Sequence, residues 1–132
     1  MNRSAALIEK TSKNLTTLSI QFMPLVTNIV IATITAYCAC KTCCGPNAKG
    51  ITANGQRPIQ GITIAASRTI PFGSTVASSA IPKSLSARQT LVVQDRLARR
   101  YDSRFDIYMS SHESARKFGI KTNQTVTIIQ TK

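Results

Sequence analysis

Short runs of apolar and β-branched residues recur along the chain, separated by polar stretches that carry Gly and Pro. Ile29 to Tyr37 (IVIATITAY) alternates toward its end and predicts a strand. Ile62 to Ala66 (ITIAA), Thr75 to Ala77, Thr90 to Gln94 (TLVVQ), Phe105 to Met109 (FDIYM) and Thr125 to Ile129 (TVTII) predict five more. Between them, Cys38 to Gly55 and Ser78 to Arg88 read as loops, and Ile70 to Gly73 as a turn in which Pro71 keeps Ile70 out of the helical region. One helix is expected, from Ser110 to Phe118. Ser110 or Ser111 would cap it, with Glu113 placed for a capping box, and Gly119 would end it. Six short strands, long loops and one short helix predict an all-β domain closed into a small barrel.

The N-terminal residues follow a different pattern. Met1 to Lys13 is polar with Arg3, Lys10 and Lys13, and no charge follows from Asn14 to Cys40. A basic start before an apolar stretch resembles a leader or signal anchor. Pro24, Gln21, Asn28 and several Thr residues make it weaker than a membrane span of about 20 apolar residues. Residues 1–28 are therefore read as a basic and apolar arm, a candidate for membrane or partner association, and residues 29–132 as the barrel.

Charge narrows the partners. Seventeen Lys and Arg against five Asp and Glu give a net charge of +12, a field that attracts polyanions such as nucleic acid, anionic lipid or the bacterial wall. No nucleic-acid-binding motif accompanies it and aromatics are 5%, so no specific nucleic-acid partner is expected. The acids are scarce: Glu9, Asp95, Asp102, Asp106 and Glu113. Any carboxylate chemistry must come from these. In a strand, Asp106 faces away from Phe105 and Ile107, so it faces a groove if those two enter the core. Asp102 reads as a turn residue.

Cys38, Cys40, Cys43 and Cys44 fall within seven positions. Four ligands so close rarely wrap one zinc ion, and structural sites usually use two separated pairs. Disulfides joining Cys43 and Cys44 to Cys38 and Cys40 are the favoured expectation, free thiols and a conceivable zinc ion the alternatives, and no metal-ligating residue or cofactor is assigned. His112, the sole histidine, is expected to be exposed at the helix start, which leaves a cysteine nucleophile without a base.

Six further blocks follow one another along the chain: Tyr37-Cys38-Ala39-Cys40-Lys41-Thr42-Cys43-Cys44-Gly45, Gly50-Ile51-Thr52-Ala53-Asn54-Gly55, Ile64-Ala65-Ala66-Ser67, Ile70-Pro71-Phe72-Gly73-Ser74, Val92-Val93-Gln94-Asp95-Arg96 and Phe105-Asp106-Ile107-Tyr108. In that order they resemble the three-aspartate (3D) domain family, which is related to the barrel of membrane-bound lytic murein transglycosylase A. The resemblance spans about Ile31 to Ile129. It implies a six-stranded double-psi β-barrel that binds peptidoglycan glycan strands, acting at the cell envelope, outside the cell, or at the wall after delivery by a phage. The implied reaction is lytic cleavage between N-acetylmuramic acid and N-acetylglucosamine, leaving a 1,6-anhydro end and requiring no cofactor.

Of the three family aspartates, the second maps to Asp95 and the third, the one most closely tied to catalysis, to Asp106. Ser67 occupies the first position. Loss of that acid is tolerable in such a lyase, because the sugar's own 6-hydroxyl attacks and one carboxyl can both give and take the proton. Asp106 would then need a raised pKa, from burial or from a like charge at Asp95. Ser67, Arg96, Arg104 and Tyr37 are the expected substrate contacts, with the arginine heads turned toward substrate carboxylates. A non-catalytic barrel, binding glycan without turning it over or serving as a structural module, is the alternative.

Overall fold

A computed structural model describes residues 24–131. The strands are β1 (Leu25–Tyr37), β2 (Thr63–Ala66), β3 (Thr75–Ala77), β4 (Thr90–Arg96), β5 (Arg104–Tyr108) and β6 (Lys121–Thr131). Among the described residues, a single helical turn, α1 (Lys41–Cys44), and one short helix, α2 (His112–Phe118), accompany the strands. The strands close into a barrel in the order β1-β5-β2-β4-β3-β6. The barrel is mixed: β1 runs parallel to β5 and β2 parallel to β4, and the other four pairings are antiparallel.

Each expected strand is present, and the differences lie at the ends. β1 begins at Leu25, inside the stretch assigned to the arm, because Leu25 to Ala32 pair with β6 from Thr131 back to Gln124. The rest of the expected arm, residues 1–23, lies outside the described residues. Among the described residues no helix is long and apolar enough to cross a membrane.

One face of every strand supplies the core. Ile34 of β1, Ile64 of β2, Val76 of β3, Leu91 and Val93 of β4, Phe105 and Ile107 of β5, and Val126 of β6 are all buried together. With few rings available, β-branched and leucine side chains do most of this packing. Burying each such side chain contributes roughly 1.5–3 kcal/mol.

α2 plugs this core through Ala115 and Phe118. Its start departs from the expected capping box. Ser111 is the N-cap and accepts from the Ser114 backbone N–H at 3.0 Å, while Glu113 pairs with Lys117 on the surface. Ser110 is engaged elsewhere, its N–H and hydroxyl both donating to Gln60 Oε1 at 2.8 Å. Gly119 ends the helix with φ of +72°, a conformation glycine adopts without a Cβ penalty.

Candidate functional site

A row of four residues crosses the sheet at one end of the barrel. Thr35 of β1 pairs with Asp106 of β5, Asp106 with Ala65 of β2, and Ala65 with Asp95 of β4. Aligned partners face the same side, so these side chains share a face. Asp95 and Asp106 stand two strand spacings apart, about 9–10 Å between backbones. Ala65 between them is small enough to leave the space above it open. An open cleft of about 770 Å³ lies over this row, lined by Tyr37, Cys44, Asp95, Arg100, Tyr101 and Asp106 among others.

Asp106 reaches the cleft by simple alternation. Phe105 and Ile107 are buried, so the residue between them points away from the core. Asp95 reaches it by an irregularity. Leu91 and Val93 are core residues, and an unbroken strand would turn residue 95 the same way. The β2–β4 register instead shifts, pairing Ile64 with Val93 but Ala65 with Asp95, so Gln94 is the extra residue of a bulge. The Gln94 side chain accepts from the buried Thr63 hydroxyl at 2.6 Å, and its carbonyl from Asn54 N–H at 3.2 Å. These bonds hold the bulge, and the bulge aims Asp95 into the cleft.

The two carboxylates have different surroundings. Both oxygens of Asp95 are engaged: Oδ2 accepts from the Tyr37 hydroxyl at 2.6 Å, and Oδ1 from the backbone N–H groups of Ala53 and Arg96, both at 2.9 Å. It ties the loop after α1 to the barrel and fixes Tyr37. Burial, together with the adjacent Asp95 carboxylate, pushes the Tyr37 phenol well above its ordinary pKa, so it stays protonated and donates. Asp106 has fewer partners. Thr35 Oγ1 donates to its Oδ1 at 2.9 Å, and Arg104 Nε donates to the same Thr35 oxygen at 3.0 Å. Burial raises the Asp106 pKa, opposed by the Thr35 hydrogen bond and the Arg104 charge and assisted by the Asp95 charge. Burial prevails.

The expected substrate contacts divide. Tyr37 and Arg104 line the cleft with the two acids, and Arg104 also lies over the Tyr101 ring at 4.5 Å. Arg96 borders the cleft, but its head is not turned to it. Nη1 donates to the carbonyls of Ser67 and Ile70 at 3.1 and 2.7 Å, and the guanidinium stacks 3.8 Å from the Phe72 ring. The expectation of a free Arg96 head is corrected: two carbonyls and a ring have already taken it. Ser67 is buried and its hydroxyl bonds with Thr69 at 3.1 Å, apart from the residues that line the cleft. Asp102 is exposed in a bend, away from the row.

The cysteines also depart from expectation. All four are free, and they do not act as one group. Cys44 donates to the Cys38 carbonyl at 3.2 Å and faces the cleft, where burial and the nearby carboxylates raise its pKa. The two-disulfide pairing fails because Cys44 is turned away from the others. Cys38, Cys40, Cys43 and His112 instead converge, one ligand atom from each lying within 4.8 Å of every other. No metal-ligating residues were assigned from the sequence, and these four side chains form a set that could hold an ion. Four local cysteines were too close to wrap an ion, but the fourth member here is a histidine 69 positions beyond Cys43.

No model of a known protein family matches the chain, and no curated protein matches its sequence.

Proposed function

We propose that the barrel cleaves peptidoglycan glycan strands by a lytic transglycosylase reaction, with Asp106 as the single acid and base. The observation that carries this reading is a carboxyl with a raised pKa facing an open cleft large enough for several sugar atoms, beside a second acid that is already fully bonded. The ordered resemblance of the sequence blocks to the three-aspartate family supports the substrate class. The interleaved strand order and two parallel pairs support a double-psi barrel.

In this reading, protonated Asp106 gives its proton to the glycosidic oxygen as the bond from the muramic acid C1 to that oxygen breaks. The 6-hydroxyl of the same sugar then attacks C1, and its proton passes to the Asp106 carboxylate. The acid is regenerated, no water is consumed, and a 1,6-anhydro ring is formed. A general acid of this kind works best with a pKa near the operating pH, and burial moves the Asp106 pKa upward, in that direction. Asp95 acts as a positioning residue: it fixes Tyr37 and the wall loop and adds negative charge near Asp106. Arg100 and Arg104 on the rim suit the carboxylates of the stem peptides. The site of action is the cell envelope or the extracellular wall, in a bacterium or on delivery by a phage.

Digestion of purified murein by the wild type and by Asp106→Asn, with mass analysis of the fragments, tests this. The wild type is expected to release anhydromuropeptides and Asp106→Asn none. Absence of that product from the wild type would falsify the catalytic reading.

A second reading, a glycan-binding module without turnover, is favoured by one observation. The position of the first family acid is a buried serine bonded within its own loop. It predicts that murein sedimentation of the protein is unchanged in Asp106→Asn and that no fragment appears with either protein.

A further inference from the structure

β1 and β5 are parallel and end together. Tyr37 pairs with Tyr108, and the Met109 N–H donates to the Tyr37 carbonyl at 2.8 Å. Both strands therefore release their chains at the same end of the barrel. On one side follow Cys38, then Cys40 at the start of α1 and Cys43 within it. On the other side follows α2, whose first residue is His112.

The four side chains meet at a point. His112 Nδ1 lies 3.7, 3.6 and 3.4 Å from the sulfurs of Cys38, Cys40 and Cys43. A tetrahedron with Zn–S of about 2.3 Å and Zn–N of about 2.0–2.1 Å has N–S edges of about 3.6 Å. The sulfur pairs are closer, Cys38 to Cys40 at 2.8 Å and Cys38 to Cys43 at 3.2 Å. Thiolate–thiolate edges of about 3.8 Å require them to open by roughly 0.6–1 Å on loading. Rotation of cysteine side chains can supply a movement of that size.

We propose that Cys38, Cys40, Cys43 and His112 bind one zinc ion as a closed structural centre that joins the ends of β1 and β5 and fixes the wall of the cleft. Three soft sulfurs and an imidazole in tetrahedral array select zinc over the hard, oxygen-seeking cations. Four protein ligands leave no open position, so the ion's role is structural. The clamp acts on the cleft because α1 is part of its wall: Cys43 and Cys44 both line it. Cys44, adjacent in sequence, is not a ligand. This proposal is independent of the reaction proposed above.

The test uses the full chain, purified under reducing conditions from zinc-supplemented cells, with metal content measured by plasma mass spectrometry. Wild type and Cys44→Ser are expected to carry one zinc per chain, and Cys40→Ser and His112→Ala to lose it. His112→Cys supplies a fourth thiolate and keeps it. Cobalt(II) added to chelator-stripped wild type is expected to give the strong visible bands of tetrahedral thiolate coordination. Stripping lowers the melting temperature of the wild type and leaves that of Cys40→Ser unchanged. Failure of the wild type to take up zinc or cobalt overturns the proposal, whether or not the ligand variants fold. So does an intact mass two hydrogens light with two titratable thiols, which marks a disulfide, and so does full zinc occupancy in His112→Ala.

Discussion

Replacing Tyr37 by Phe removes one oxygen atom and leaves the ring, its burial and its edge-to-face contact with Tyr108, centroids 5.7 Å apart, in place. What is lost is the 2.6 Å hydrogen bond to Asp95 Oδ2. Hydrogen bonds to charged groups contribute about 1.5–3 kcal/mol. The abandoned carboxylate oxygen faces an open cleft and can take water, which places the cost in the lower half, about 1.5–2 kcal/mol. For a domain of this size the melting temperature falls by roughly 5–9 °C. Urea denaturation followed by circular dichroism, on Tyr37→Phe, Asp95→Asn and the double variant, isolates the pair. The expected coupling is about 1 kcal/mol or more, because each single change already removes the shared bond. Additivity of the two changes within about 0.3 kcal/mol would refute the view that Asp95 is a tied structural acid.

Thr35→Val removes the hydroxyl that stabilises the Asp106 carboxylate, so the Asp106 pKa rises further. The alkaline limb of the murein-cleavage pH profile is expected to move to higher pH, and a limb that stays in place contradicts the Thr35 link. Asp106→Asn keeps an acceptor for Thr35 and removes a charge whose ionisation burial opposes. An acid with a raised folded-state pKa contributes stability below its unfolded pKa and loses it as pH rises through the folded value. Asp106→Asn is therefore expected to gain stability relative to the wild type at neutral pH, with the gain vanishing near pH 3 in thermal melts. A gain independent of pH would contradict the assignment. Gly61→Ala places a methyl 2.8 Å from the Leu85 carbonyl oxygen at φ of +88°. It should lower stability by about 1–3 kcal/mol in urea titration, and an unchanged midpoint would show that the close approach is wrong.

The strands were legible because their core faces are β-branched and their breaks carry Gly and Pro. The extents of β1 and β6 were not. Leu25 to Ile31 are mostly exposed and pair with β6 residues, including Thr127 and Thr125, so the paired segment lacks the one-sided apolar signal that marks a strand. Asp106 could be aimed from sequence, since Phe105 and Ile107 bracket it in a regular strand. Asp95 could not, because its direction depends on a bulge at Gln94, and a register shift is a property of two strands rather than one. Arg96 and Arg104 are alike as sequence. Only the carbonyls of Ser67 and Ile70 and the Phe72 ring set them apart. His112 joined the cysteines through the parallel pairing of β1 with β5, a contact between distant segments that no local spacing encodes. The signal available was the presence of a lone histidine at a helix start in a chain with clustered cysteines.

The most direct measurement is the pH dependence of anhydromuropeptide release from purified murein by the wild type and Asp106→Asn. The wild type is expected to lose activity as pH rises through the raised Asp106 pKa, and Asp106→Asn to release no anhydro product at any pH while binding murein normally. Anhydro product from Asp106→Asn at a rate near that of the wild type would contradict the assignment of Asp106 as the proton carrier.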